Sequence, residues 1–322
     1  MPAVFAHMIA ADKAKSTLEA KDLSLPTLVL NRFPQWLQAG AVGPDYPYLH
    51  HLTSHDKSDS WADLLHYSNT GEVVRAGAKI LQRRYPIEKD TKEFQRALAW
   101  LYGYTSHVVL DASIHPTVRA IVGEYKDNPT EHRACEMYMD SFIFKETYGI
   151  ELDNSEWADY LRALTDHNTG EMDDAVVSLW SEMLEQVYPE VYKNKPPQIR
   201  SWHRAYLKKI DAADFNIGYG LFRHAASEYG VLYARRDEIK PEDMKKYIEE
   251  VTLPDKNMFN KKTWHYKDIF QFGVDNVSKF WISMTSDILE PHEMVLAFLP
   301  NWDLDKGTID LEGKGDATLW VA

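Results

Sequence analysis

The chain has 322 residues, enough for one large domain or two ordinary ones, and 44% of them are hydrophobic, so it can bury a sizeable core. Its formal net charge of −13 argues mildly against broad binding to nucleic acid or to anionic membranes, because both prefer basic surfaces. The single cysteine, Cys135, excludes an intrachain disulfide, so metal ligands here must be histidine, aspartate and glutamate side chains.

The chain is predicted to be mostly helical, because apolar residues recur at helical spacing and proline and glycine number only 15 each. The predicted helices span 3–20, 26–38, 61–83, 91–114, 130–147, 154–166, 170–188, 197–235, 241–251 and 268–288, with a loop over 39–57. Pro116 disfavours helix at the residue before it, which predicts that His115 lies where the 91–114 helix ends. Residues 308–322 are compatible with a short strand, so we expect an all-α, multi-helix fold with a short β segment near the C-terminus.

The pattern of helices breaks at 252–262, where the sequence reads LPDKNMFNKK. This break predicts a helical domain over 1–252 and a C-terminal extension over 253–322 that packs on it. The first residues lack a basic segment followed by a long apolar run, so we expect no signal peptide. No stretch approaches the roughly 18 apolar residues of a membrane-spanning helix, so a cytoplasmic location is the expectation.

The sequence pattern that indicates a metal site is a histidine followed four residues later by an acid, because residues four apart share one face of a helix. Composition alone predicts about two such pairs by chance, and the usual explanation of any one is a surface pair. The sequence contains five pairs: His55/Asp59, His107/Asp111, His132/Glu136, His167/Glu171 and His224/Glu228.

The residues that surround each pair distinguish the pairs from one another. His107 and Asp111 are surrounded by Val108, Val109 and Leu110, with no lysine or arginine nearby, so the carboxylate needs either a metal ion or a buried hydrogen bond to the histidine. His132/Glu136 alone is typical of a surface face, because charged residues flank its histidine. The other three pairs are better explained by a solvated loop, a cap and a core hydrogen bond, respectively.

Four segments together resemble the bacterial zinc-dependent phospholipase C family, which is related in fold to the single-strand-specific zinc nucleases. They are GAVGPDYPYL (40–49), LLHYSNTGEVV (64–74), LYGYTSHVVLDASIHP (101–116) and EHRACEMYMD (131–140). Their order is more specific than any one of them, and the resemblance covers roughly residues 1–145.

The resemblance implies three zinc ions. It assigns the first ion to Asp45, His66, His107 and Asp111, the second to His115, His132 and Glu136, and the third to Asp111 and His7. In the family, the third site also uses an N-terminal tryptophan, which this sequence lacks. We therefore expect two zinc ions and leave the third open.

The function that the resemblance implies is zinc-dependent phosphodiester hydrolysis of the phospholipase C type, with a metal-activated water attacking phosphorus. Asp45 is the candidate catalytic residue, which orients or deprotonates that water or acts only as a ligand. The expected substrate is a phosphodiester such as a phospholipid headgroup. Two alternatives remain: a nuclease or nucleotide phosphodiesterase on the same site, and a helical metal-binding or interaction protein that hydrolyses nothing. The sequence leaves the oligomeric state unknown.

Overall fold

The computed structural model describes residues 4–51, 60–152, 164–165, 170–216, 235–290, 299–310 and 316–321. Helices dominate these residues, so the predicted all-α class is confirmed. The helices are α1 (Val4–Ala20), α2 (Ser24–Arg32), α3 (Pro34–Gly40), α4 (Tyr46–His51), α5 (Ser60–Tyr67), α6 (Thr70–Glu88), α7 (Lys92–Val122), α8 (Pro129–Tyr148), α9 (Asp174–Val187), α10 (Pro189–Asn194), α11 (Ile199–Asn216), α12 (Pro241–Met244) and α13 (Tyr266–Leu289). Two antiparallel pairs of two-residue strands accompany them: β1 (Val251–Thr252) with β2 (Thr263–Trp264), and β3 (Ile309–Asp310) with β4 (Asp316–Ala317).

Helix α7 is the axis around which the other helices pack. The Thr91 side chain caps its start by accepting a hydrogen bond from the backbone N–H of Phe94, and Gly123 ends it at a φ of 84°. Its 31 residues are buried over nearly the whole length, and α1, α3, α6, α8 and α13 all contact it. A helix covered on every side must place its polar side chains against partners inside the protein.

Helices α3 and α7 cross closely because glycines lie at the contact. A Cβ atom on Gly103 would lie 2.0 Å from the carbonyl oxygen of Leu37, and one on Gly40 would lie 2.1 Å from that of Trp100. Only glycine permits this approach of two backbones. The crossing brings the segment after α3, which contains Asp45, beside the middle of α7.

The predicted end of the helix at His115 is wrong, because α7 continues through Pro116 to Val122. A proline inside a helix removes one backbone hydrogen bond and crowds the carbonyl four residues earlier, here that of Ala112. In the folded protein, Gly307 packs beside both Pro116 and the Ala112 carbonyl, where a Cβ atom would be 2.3 Å and 2.8 Å away. A contact from almost two hundred residues downstream therefore accompanies the uninterrupted helix.

Two other predicted helices are each divided in the structure. The 26–38 segment forms α2 and α3, which are separated at Phe33, and the 61–83 segment forms α5 and α6. Asn69 has a φ of 52° between α5 and α6, a left-handed conformation that breaks a helix. The predicted helix over 241–251 is shorter, because α12 is followed by a π turn over Lys245–Glu249 and then by β1.

The described part of the C-terminal segment packs on the helices that precede it. Helix α13 contacts α1, α6 and α7, and the indole N–H of Trp281 donates to the carbonyl of Tyr102 at 2.9 Å. The division of the chain at residue 252 stays a prediction. The predicted helix over 154–166 and the second half of that over 197–235 lie almost wholly outside the described residues. Among the described helices, none combines the length and apolar character needed to cross a membrane.

Candidate metal centre

Three polar residues of α7 line one face of the helix at intervals of four: His107, Asp111 and His115. All three are buried, with exposures of 0%, 2% and 6%. Because α7 continues through Pro116, His115 shares the face of the other two instead of lying at a helix end. This face forms the floor of the candidate centre.

The first group of side chains forms where the short 3-10 turn Gly43–Asp45 meets α5 and α7. Oδ1 of Asp45 lies 3.2 Å from Nε2 of His66 and 4.0 Å from Nε2 of His107. The three side chains are buried and close enough together to hold one metal ion. These are three of the four ligands that the family resemblance implies for the first zinc ion.

The second group brings α1 against α7. Nε2 of His7 lies 3.1 Å from Oδ1 of Asp111, and Nε2 of His107 lies 3.2 Å from Oδ2 of the same carboxylate. The rings of His7 and His107 stack with centroids 4.1 Å apart. This group could also hold one metal ion, so His107 belongs to both groups.

The residues expected at the second zinc ion are only partly brought together. Nε2 of His115 lies 3.6 Å from Oδ1 of Asp111 and 3.6 Å from Oε1 of Glu136. His132 is buried on α8, but it belongs to neither compact group, and its Nε2 donates to the carbonyl of Gly123 at 2.7 Å. Only Nδ1 of His132 then remains for a metal ion.

Backbone carbonyls fix the tautomers of three histidines of the centre. Nδ1 of His66 donates to the carbonyl of Ala62 at 2.9 Å, Nδ1 of His107 donates to that of Ala41 at 2.9 Å, and Nδ1 of His115 donates to that of Leu304. A carbonyl oxygen can only accept, so the proton of a neutral ring must be on Nδ1. Nε2 then presents a lone pair to the carboxylates, as in a metal-ligating histidine.

Several buried atoms of the centre have no hydrogen-bond partner within the described parts of the chain. They are Nδ1 of His7, Oδ2 of Asp45, Nε2 of His107, Oδ2 of Asp111 and Oε2 of Glu136. Buried polar atoms without partners are costly, and a cluster of them is rare in a folded protein. Lone pairs of nitrogen and carboxylate oxygen that face each other are the donor set zinc prefers, so the residues present fit zinc.

Comparison with known protein families identifies the chain. The model for "Zinc dependent phospholipase C" matches residues 6–190, more than half of the sequence. This chain belongs to the zinc-dependent phospholipase C family. No curated protein sequence matches it, and no solved structure does.

Membership of the zinc-dependent phospholipase C family confirms the resemblance seen in the sequence. The chain therefore belongs to a family of hydrolases that use zinc. The matched region contains all eight predicted site residues, His7, Asp45, His66, His107, Asp111, His115, His132 and Glu136. Their roles as ligands, and the number of ions, stay predictions.

The charges of the centre shift the pKa values of its groups. Burial alone raises the pKa of Asp111, but His115 and His107 together hold it well below its usual value. Burial likewise acts on Asp45, whose pKa is nevertheless lowered by His107 and other histidines. Burial raises the pKa of Glu136 to about 7, whereas Asp111 and Glu136 raise that of His115 against the effect of its burial. The two aspartates are therefore anionic at neutral pH and attract a cation.

Sequence reasoning missed Asp140, which lies on the same face of α8 as His132 and Glu136. It is buried and accepts hydrogen bonds from the backbone N–H groups of Phe5 at 2.9 Å and Ala6 at 2.7 Å. These contacts anchor the first turn of α1, from which His7 projects. The continued spacing of four along α8, from 132 to 136 to 140, is the signal that could have found it.

A narrow pocket with a volume of about 20 Å³ opens on the centre between α1, α7, α8 and α13. Four predicted ligands are among its lining residues: His7, Asp111, His115 and Glu136. Apolar side chains of α7 and α8 also line it: Leu110, Ile114, Val118 and Met139. The predicted ligands therefore lie next to apolar side chains in this pocket.

The other histidine–acid pairs of the sequence are not tested. His55, Asp59, His167, His224 and Glu228 lie outside the described residues. Their interpretation as a solvated loop, a cap and a core contact stays a prediction. The expectation that His132/Glu136 forms a surface face is wrong, because α8 packs against α7 and buries both side chains.

Proposed function

We propose that the protein hydrolyses a phosphodiester of the phospholipid type, using zinc ions held by the buried side chains of α1, α5, α7, α8 and the Gly43–Asp45 turn. The observation that carries the proposal is the set of inward-facing lone pairs. Nε2 of His107 points at two carboxylates and has no hydrogen-bond partner among the described residues. A proton on Nε2 could bond to only one of the two carboxylates, whereas the ring and the carboxylates together form a donor set that would suit a zinc ion.

The proposed ligands are those implied by the family. Asp45, His66, His107 and Asp111 would hold one ion, and His115, His132 and Glu136 would hold a second. A third would lie between His7 and Asp111, a contact supported by the 3.1 Å distance between their side chains. Zinc, when bound, supplies a Lewis acid that polarises phosphate oxygens and lowers the pKa of bound water towards neutrality.

Asp45 is the proposed catalytic residue. Its Oδ1 faces His66, while its buried Oδ2 has no hydrogen-bond partner among the described residues. Because the neighbouring histidines lower its pKa, the carboxylate is ionised at neutral pH, and Oδ2 can accept a hydrogen bond or a proton from the attacking water. The burial of the centre excludes other water and strengthens these interactions.

The family and the net charge favour a lipid over a nucleic acid as the substrate. The family model describes a phospholipase C, and the chain's net charge of −13 repels a polyanion. A phosphodiester with an apolar substituent is therefore the proposed substrate class.

The test begins with elemental analysis of the purified protein, for which we expect two or three zinc ions per chain. The protein should then release the chromophore from a chromogenic phosphodiester, lose this activity with a chelator and regain it with zinc. Short-chain phosphatidylcholine and single-stranded DNA, compared at equal phosphodiester concentration, divide the substrate classes. Faster cleavage of the DNA would favour the alternative function of a nuclease over that of a phospholipase. Zinc binding without hydrolysis of any of these diesters would overturn the proposal.

A further inference from the structure

We propose that the loop of residues 299–308, which lies beyond the family-matched region, is a positioning part of the metal centre, and that the backbone of Leu304 orients His115 for its metal ion. The inference rests on the proposed zinc function, and it adds a part of the chain that the match over residues 6–190 does not include.

One buried peptide segment links two predicted ligands of different helices. The backbone N–H of Leu304 donates to the carbonyl of His66 at 2.7 Å, and the Leu304 carbonyl accepts from Nδ1 of His115. Leu304 itself has no exposed surface. Its backbone therefore ties the end of α5 to the middle of α7 within the centre.

The loop has a fixed shape of its own, so it can impose a position on its partners. The backbone N–H groups of Asp303 and Gly307 donate to the carbonyls of Thr308 and Asp303, both at 2.8 Å. The Asp303 side chain also accepts from the backbone N–H of Lys306 at 3.2 Å. These bonds close a tight turn around Leu304, which presets the direction of its carbonyl.

Contacts on both sides of the turn hold it against the helices. The Thr70 hydroxyl donates to the carbonyl of Trp302 at 2.9 Å, and the Tyr67 hydroxyl donates to Oδ2 of Asp305 at 2.5 Å. Gly307 packs against Pro116, the neighbour of His115. The loop thus contacts α5, α6 and α7 at the level of the centre.

The direction of the Leu304 carbonyl decides which nitrogen of His115 can bind metal. With the proton held on Nδ1, Nε2 is free to face Asp111 and Glu136, each 3.6 Å away. Groups that hold the second nitrogen of a ligating histidine typically contribute about 10–100-fold to metal affinity. Displacement of the loop should therefore lower the zinc affinity of the site that includes His115 more than that of the sites that include His7 or Asp45.

Gly307→Ala displaces the loop, because its Cβ atom would lie 2.3 Å from Cδ of Pro116. Gly149→Ala is the matched control: both glycines have positive φ, 62° and 73°, but a Cβ atom on Gly149 meets nothing within 4 Å. The full chain of each variant is titrated with Zn²⁺ against a chromophoric chelator. We expect one class of site to weaken about 10–100-fold in Gly307→Ala, and all sites to keep their affinity in Gly149→Ala.

Imidazole ¹⁵N spectra of the zinc-loaded proteins supply a readout that a purely structural role would not change. In the wild type, His115 should show a protonated Nδ1, and Gly307→Ala should lose this signal while His66 and His107 keep theirs. If Gly307→Ala does not fold, Thr70→Val replaces it, since this variant removes only the hydrogen bond to Trp302 and should cause a smaller loss of the same class of site.

Unchanged zinc affinity and an unchanged His115 signal in the loop variant would overturn this inference but not the proposed function. Equal losses in the loop variant and its control would also overturn it. A wild-type protein that binds no zinc would instead overturn the proposed function on which the inference depends.

Discussion

The surroundings of the His107 imidazole fit the role of metal ligand that we propose for it. Its Nδ1 is tied to the carbonyl of Ala41, so its Nε2 lone pair is directed between Asp45 and Asp111. A proton cannot serve both carboxylates with good geometry, whereas a divalent cation can bind the ring and both acids together. This argument applies most strongly to Asp111, because three histidines lie around it.

Asp111→Asn should bind less zinc and lose at least about 100-fold in turnover of a chromogenic phosphodiester, because the amide keeps the shape but loses the charge and one acceptor oxygen. Zinc content and steady-state rates measure this. The matched control is Asp173→Asn, another buried aspartate, which caps α9 by accepting from the N–H of Ala175 at 2.9 Å. Asparagine caps helices equally well, so this control should keep its zinc and its rate. Near-normal zinc and turnover in Asp111→Asn would remove Asp111 from the centre.

Residue types and spacing predicted the pair His107 and Asp111, the family resemblance implied the other candidate residues, and the remaining features of the centre depend on tertiary contacts. The apolar neighbours of His107 and Asp111 indicated burial, and the structure buries both. The charged neighbours of His132 instead suggested a surface face, because local sequence does not reveal that α7 covers that side of α8. The carbonyl of Leu304 could not be predicted at all, since any residue has a carbonyl.

Among the elements, α7 and its crossing with α3 determine the geometry of the centre. The contact of Gly40 and Gly103 lets the two backbones approach, and this approach places the carbonyl of Ala41 2.9 Å from Nδ1 of His107. It also brings the Gly43–Asp45 turn beside α7. The periodicity predicted a helix here but not its continuation through Pro116, beside which Gly307 packs from a distant loop.

Gly103→Ala should lower the free energy of unfolding of the zinc-loaded protein by about 1–3 kcal/mol or more, because its Cβ atom would meet the backbone of Leu37 and Ala41, which cannot rotate away. Urea denaturation measures the change. Gly273→Ala is the control on α13, where the nearest atom is the end of the flexible Leu110 side chain at 2.7 Å. Gly273→Ala should lower the free energy of unfolding clearly less than Gly103→Ala does. Equal stability of the two variants would contradict the importance of the crossing for the fold.

At the scale of the whole molecule, distant parts of the sequence meet around one buried cluster of acids and histidines. Helix α1 contributes His7, and α5, α7 and α8 contribute most of the other proposed ligands. The C-terminal segment contributes α13 and the loop of residues 299–308. Bringing Asp45, Asp111 and Glu136 together inside a protein is unfavourable unless cations compensate them. Folding and zinc binding should therefore be coupled.

Removal of zinc with a chelator should lower the Tm, and zinc should restore it. Each site stabilises the fold by about 2.7 kcal/mol when free zinc exceeds its Kd 100-fold, so the shift should amount to several degrees. Differential scanning calorimetry measures it. Calcium is the control ion, since imidazole ligands do not suit it, and it should not restore the Tm. A Tm that does not change on chelation of a zinc-containing protein would show that the ions do not support the fold.

The most direct test of the buried zinc centre is a crystal structure with anomalous diffraction collected on both sides of the zinc absorption edge. We expect edge-dependent peaks between the side chains of Asp45, His66 and His107 and beside Asp111, with bonds of about 2.0–2.2 Å to nitrogen and oxygen. The same map should show whether a peak lies next to His115 and Glu136. Density without any anomalous peak in protein purified with zinc present, and with the histidines bonded directly to the carboxylates, would contradict the account.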